Sequence, residues 1–334
     1  MTRTLLQSVA ILAIAFFAGQ SCLVLAQAAP AERGRGIEGE LGVRRALGLP
    51  VNSFGAAHHT ATAGSEPDAV ALGLAQKKSY HFRSVDFPGS QYSIILDFND
   101  GTAVGQFAYP LVNVAFYFRG TSYHPLNITG GVTSECNGVN ASGQMVGSYE
   151  DKVDRIHGFF YNGESFVNVD FPNSNYTEAW DINKAGVIVG TYYDANDQQH
   201  GFVDKKGVFT TIDFPGAMFT AAIGINSSGD IVGYYYDSSG NPHGFLRSKK
   251  VYTSIDYPKT KFSWTYGIND AGSIAGTFSD DGDTNHGFVR IGGVFYQADV
   301  TGASSTVLLR INNDGNVAGY VVDIQGEDHG IVGD

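Results

Sequence analysis

After residue 79 the apolar residues fall in short runs separated by polar turns, and no helical period appears. Residues 200–257 show the pattern at its clearest. Ala221–Ile225 is apolar and ends at the turn Asn226–Gly229. Ile231–Tyr236 follows, rich in β-branched and aromatic residues, and then a polar loop, Asp237–Pro242. His243–Leu246 and Val251–Tyr257 flank Ser248–Lys250. Runs of this length bounded by Gly, Asn, Asp and Pro are strand signals. The pattern predicts four antiparallel strands, A to D in chain order, with C and D forming a hairpin.

This unit recurs. His-Gly-Phe or His-Gly-Ile begins at His157, His200, His243, His286 and His329, always 43 residues apart. The turn asparagines Asn140, Asn183, Asn226, Asn269 and Asn312 keep the same spacing. A degenerate copy precedes them, with Asn99 at the turn and Val114 where the His should be, so there are six copies. Four antiparallel strands per repeat of this length predict an all-β fold, a six-bladed β-propeller. The last copy stops after strand C, whereas Phe82–Pro88 is a strand D with no blade of its own. Pairing that N-terminal strand with the C-terminal three closes the ring and removes open sheet edges.

Each His is followed 13 residues later by Asp: His157/Asp170, His200/Asp213, His243/Asp256 and His286/Asp299. For His329 the matching carboxylate is Asp86, across the closure. A His beside an Asp is half of a hydrolytic triad, but a motif present in nearly every blade reads as scaffold. Six positions before each turn Asn stands a hydroxyl residue, expected to bond the adjacent backbone: Ser93, Ser134, Thr177, Thr220, Ser263 and Thr306.

Positions that break the repeat are more informative. Two residues before the turn Asn the chain reads Asp97, Gly138, Asp181, Gly224, Gly267 and Arg310. Asp97, Asp181 and Arg310 are the candidate catalytic residues, as an acid–base pair acting on a glycoside; the bland alternative is an Arg–Asp salt bridge across the channel. Tyr92, Tyr176, Phe219 and Phe262 precede strand A and are candidates for stacking against sugar rings, or else fill the gaps between blades. The acidic B–C loops, above all Asp280, Asp281 and Asp283, are candidate calcium ligands, although Asp equally favours turns. No other metal or cofactor is indicated.

Residues 1–26 read as a secretory signal, with Arg3, an apolar stretch and Val24-Leu25-Ala26 as a cleavage site. Retention as a membrane anchor is the alternative. Residues 27–78 read as a flexible linker, and residues 79–334 as one propeller domain. Gly occurs 43 times, Tyr 18 and Phe 22, which suits tight turns and packing between blades. Cys136 is the one cysteine after the signal, so no intramolecular disulfide is expected. A net charge of −12 argues against nucleic acid and anionic membrane surfaces as partners. The domain is expected to be monomeric.

The phrase Ile-Asn-x-x-Gly-x-Ile-Val-Gly-Tyr-Tyr, followed by His-Gly-Phe and an Ile-Asp-Phe-Pro-Gly segment, resembles the HAF-type extracellular repeat of bacteria over residues 82–334. The resemblance implies a secreted or surface propeller-like protein and supplies no catalytic residues. No GxxxxGK, GxSxG, HExxH or CxxC motif occurs. The expected function is a non-enzymatic binding module for an extracellular glycan or protein, secreted, at the cell surface or in the periplasm. The alternative is an extracellular polysaccharide hydrolase or lyase with its site in the channel.

Overall fold

A computed structural model describes residues 60–62, 80–85, 87–90, 92–99, 101–108, 112–282 and 284–334. The signal, most of the linker, Asp86 and Asp283 lie outside them. Two strands come first, β1 (Thr60–Thr62) and β2 (His81–Ser84). Blade 1 is β3 (Ser93–Asn99), β4 (Thr102–Ala108), β5 (Asn113–Arg119) and β6 (Ser122–Pro125). Blade 2 is β7 (Gly131–Val139), β8 (Met145–Asp151), β9 (Ile156–Tyr161) and β10 (Phe166–Asn168). Blade 3 is β11 (Thr177–Ile182), β12 (Val187–Tyr193), β13 (Gln199–Lys205) and β14 (Val208–Ile212). Blade 4 is β15 (Phe219–Ile225), β16 (Ile231–Tyr236), β17 (Pro242–Ser248) and β18 (Val251–Ile255). Blade 5 is β19 (Phe262–Ile268), β20 (Ile274–Ser279), β21 (His286–Ile291) and β22 (Val294–Gln297). Blade 6 is β23 (Ser305–Ile311), β24 (Val317–Val322) and β25 (Asp328–Gly333), completed by β2.

The chain is a six-bladed propeller of four-stranded antiparallel blades, closed by its N-terminal outer strand. At the closure Phe82, Arg83 and Ser84 pair with Gly333, Val332 and Ile331. β1, inside the stretch expected to be linker, adds an antiparallel strand outside β2. The repeated aromatic of strand C fills the middle of blades 1 to 5, where Phe116, Phe159, Phe202, Phe245 and Phe288 are fully buried, and Ile331 takes its place in blade 6. Strand B carries Gly opposite this ring for a steric reason. A Cβ on Gly233 would lie 1.9 Å from the Ala221 carbonyl oxygen.

The turn asparagines form a second girdle. The side chain of Asn226 caps its own turn, accepting from the Ser228 and Asp230 N–H groups. Its Nδ2 donates to the Asn269 carbonyl, 43 residues on. Asn140, Asn183 and Asn269 donate in the same way to Asn183, Asn226 and Asn312, linking blades 2 to 6 in turn. Of the six repeated hydroxyls, five accept from the backbone N–H six residues earlier, as Thr220 does from Phe214. Ser134 accepts from Ala115 instead.

Candidate functional site

Every inner strand carries a β-bulge three residues before its turn Asn, at Leu96, Asn137, Trp180, Ile223, Tyr266 and Leu309. A bulge takes a residue out of the ladder, and here it frees main-chain carbonyls. Arg310 collects five of them. Its Nη1 donates to the Tyr266 and Leu309 carbonyls. Its Nη2 donates to those of Asn137, Trp180 and Ile223. Its Nε lies 3.6 Å from Asp97 Oδ1. One guanidinium therefore touches all six blades, and it closes the channel at the A–B turn end.

Asp97 and Asp181 belong to the same hub. Asp97 accepts from the Phe98 N–H and, in the next blade, the Val139 N–H. Asp181 accepts likewise from Ile182 and from Ile225. Gly138, Gly224 and Gly267 hold the equivalent places, where a Cβ would crowd the neighbouring blade; at Gly267 it would lie 2.7 Å from the Arg310 Cα. Burial raises both carboxyls, Asp97 to about 7, against the pull of Arg310. The three candidate catalytic residues do converge, as a buried ion group in which both carboxyls are bonded to main-chain N–H groups and Arg310 Nε has no hydrogen bond.

The other half of the channel is built differently. Strands from blades 1, 3, 4, 5 and 6 supply one apolar cluster that includes Ile94, Ala221, Trp264, Val307 and Tyr320, which places it on the axis. Tyr92, Phe219 and Phe262 are half-buried and pack on that cluster. They begin strand A, so they ring the mouth formed by the D–A and B–C loops. Phe219 stacks on Tyr236 at 4.2 Å, and the Tyr92 hydroxyl donates to Asn113 Oδ1. Tyr176, expected at the same rim, is instead 2 % exposed, edge-on to Tyr193. Its hydroxyl meets the carboxyl two residues on.

That carboxyl is Glu178, and with Glu135 it forms a pair that sequence reasoning missed. Both stand five residues before the turn Asn, where the other blades have Ile94, Ala221, Trp264 and Val307. Scanning that register for broken symmetry would have found them. Glu135 accepts from Ser148 at 2.9 Å, and Glu178 from Thr191 at 3.2 Å. Burial pushes Glu135 up to about 6. Burial and then the charge of Glu135 push Glu178 up to about 8.

The His–Asp pairs lie towards the blade exterior. His157, His200, His243 and His286 hold Asp170, Asp213, Asp256 and Asp299 through Nδ1 at 2.8–3.1 Å. A second carboxylate, absent from the sequence expectation, faces Nε2 in four blades: Asp151, Asp194, Asp237 and Asp323, at 3.3–3.7 Å. Each ring of the first four also stacks on strand B, as His243 does on Tyr235. Asp86, the partner expected for His329, is outside the described residues. In three of the four described pairs the second ring nitrogen faces another carboxylate rather than a nucleophile.

The acidic loops use their carboxylates to make turns. Asp237 Oδ1 accepts from Ser239 and Asn241, and Asp281 Oδ1 from Thr284. Asp280 is exposed, and Asp283 lies outside the described residues. Elsewhere on this face Asp323, Glu327 and His329 bring their ligand atoms within 4.8 Å of one another.

No family model and no curated protein matches the chain. Among solved structures it is similar to TolB from Acinetobacter baumannii, at 10% identity and a TM-score of 0.50, over 70% of this chain and 64% of that one. It is also similar to AofleA from Arthrobotrys oligospora, at 12% identity and a TM-score of 0.46, over 76% and 82%. A third is the fungal lectin of Aleuria aurantia, described as a six-bladed β-propeller with fucose recognition, at 12% identity and a TM-score of 0.43, over 69% and 87%. At 10% identity the likeness to TolB speaks to the fold alone.

Proposed function

We propose that this chain is a non-enzymatic, glycan-binding propeller that works outside the cytoplasm, with its ligand seated on the aromatic mouth of the channel. The observation that carries the reading is the placement of Tyr92, Phe219 and Phe262. They pack against the axial cluster, and each is only half-buried. Aromatic rings resting on an apolar cluster suit the apolar face of a sugar, and contacts of an aromatic ring contribute on the order of 1 kcal/mol each. The enzyme alternative loses its named acid–base pair, because Asp97 and Asp181 are committed to main-chain N–H groups. Export rests on the apolar N-terminal stretch and on the resemblance to HAF-type repeats.

The test is affinity electrophoresis of the full chain through gels containing plant, fungal or bacterial polysaccharides. Retardation by at least one polymer is expected, with no release of reducing ends. The double variant Phe219→Ala/Phe262→Ala should bind at least tenfold more weakly, since two lost contacts of ~1 kcal/mol exceed the 1.4 kcal/mol that a factor of ten represents. Retardation by no polymer, or undiminished binding by the variant, would sink the proposal.

A further inference from the structure

Below the mouth, the channel holds more buried carboxyl groups than the chain has buried cations to pair with them. Asp97, Glu135, Glu178 and Asp181 are each less than 10% exposed, at 6%, 9%, 2% and 8%. Among the described residues Arg310 is the one buried cationic side chain. It lies in the hub with the two aspartates. Glu135 and Glu178 stand one pleat above it, on the neighbouring strands β7 and β11, and each receives a hydroxyl hydrogen bond. Beside them Asn137 Oδ1 has no hydrogen-bond partner although the residue is fully buried, while Glu178 also meets the Tyr176 hydroxyl. The Asn137 amide is held by its nitrogen, which donates to the Ala179 carbonyl across the blade gap. Leaving such an acceptor dry is costly, and leaving a carboxylate pair uncompensated more so.

We propose that the channel between β7 and β11 is a site for one hard divalent cation of the calcium class, held by Glu135, Glu178 and the side-chain oxygen of Asn137. The donors are all oxygen, which is the preference of such ions. The two glutamates match the charge of one divalent ion. Soft ligands are turned away: Cys136 points to the Val146 carbonyl inside its own blade. Water completes the coordination shell, as six to eight oxygens are the norm for calcium. Protons compete for the same oxygens, so apparent affinity falls as the pH drops. This site is separate from the glycan mouth and stands or falls independently of it.

Calorimetric titration of the chelator-treated full chain with calcium or magnesium chloride tests the assignment, alongside thermal melts. One ion per chain and a raised melting temperature are expected. Glu135→Gln and Glu178→Gln should each bind the ion at least tenfold more weakly. In chelator both variants should melt no lower than the parent, because an isosteric amide removes a buried charge; their weak binding then does not reflect misfolding. Asp281→Asn and Asp323→Asn, on the surface loops, should bind as the parent does. The proposal is overturned if neither ion binds up to ~10 mM, above the range of weak extracellular calcium modules. It is equally overturned if binding survives both Gln variants, or is lost in Asp323→Asn, which would move the ion to the surface set.

Discussion

Arg310 shows how much one residue does in a repeated fold. Its five carbonyl partners come from five consecutive blades and its carboxylate partner from the sixth. Replacing it with Met leaves Asp97 and Asp181 buried without a counter-charge, and removing one partner of a buried pair costs about 3–5 kcal/mol. Arg310→Met should therefore lower the urea midpoint by that equivalent. Arg310→Lys should recover little, because a compact ammonium has three donors and no planar fork to span the ring. Equal stability of parent and Met variant would refute the hub. Arg310 stands out in the sequence because the equivalent positions hold Asp or Gly. Its ion pair with Asp97 is the salt bridge that the sequence offered as an alternative, but its five carbonyl contacts were not legible there, since those partners are main-chain oxygens freed by bulges and side-chain identity does not report them. Glu135 and Glu178 were legible in principle, at a register position occupied elsewhere by Ile, Ala, Trp and Val.

At the level of elements the repeat made most of the architecture readable. The predicted strands in blade 4 agree with β15 to β18 within two residues at each end. Ring closure was readable because Phe82–Pro88 copies a D strand that the last repeat lacks. β1 was not, because its three residues, Thr-Ala-Thr, follow no part of the repeat. The closure has an energetic consequence. Phe82 is 1% exposed and packs with Tyr80 and Ile331 in the cluster that seals blade 6. Phe82→Ala should cost about 3–5 kcal/mol, as large-to-small core changes do. Val208→Ala, at an exposed strand end, should stay within ~0.5 kcal/mol. Chemical denaturation of both variants checks this; equal, small effects would mean that the ring does not depend on its N-terminal strand.

For the whole molecule the channel sets the pH response. Glu178 and Glu135 have folded values raised to about 8 and about 6, above their ordinary 4.5, and His286 is raised above 6.5 by Asp299. In each case the folded state holds the proton more tightly. Stability without a bound cation is thus highest at low pH and declines as pH rises from about 4.5 to about 8. Asp151, Asp194, Asp237 and Asp270 are lowered below 3.8 and act with the opposite sign, but only in acid below that value. Urea unfolding in chelator should give a lower midpoint at pH 8 than at pH 5, with a smaller difference in Glu178→Gln. No difference between the two pH values would contradict the buried pair.

The functional claim is that ligand sits at the aromatic mouth, and the chain carries its own probes there. It has two tryptophans, Trp180 and Trp264, and both belong to the axial cluster on which Phe219 and Phe262 pack. The most direct measurement is a titration of intrinsic tryptophan fluorescence with the oligosaccharide of whichever polymer retards the chain. A saturable change in emission is predicted, with the same midpoint as direct binding, and it should be lost in Phe219→Ala/Phe262→Ala. Binding that proceeds with unchanged emission would place the ligand elsewhere on the propeller and contradict the account.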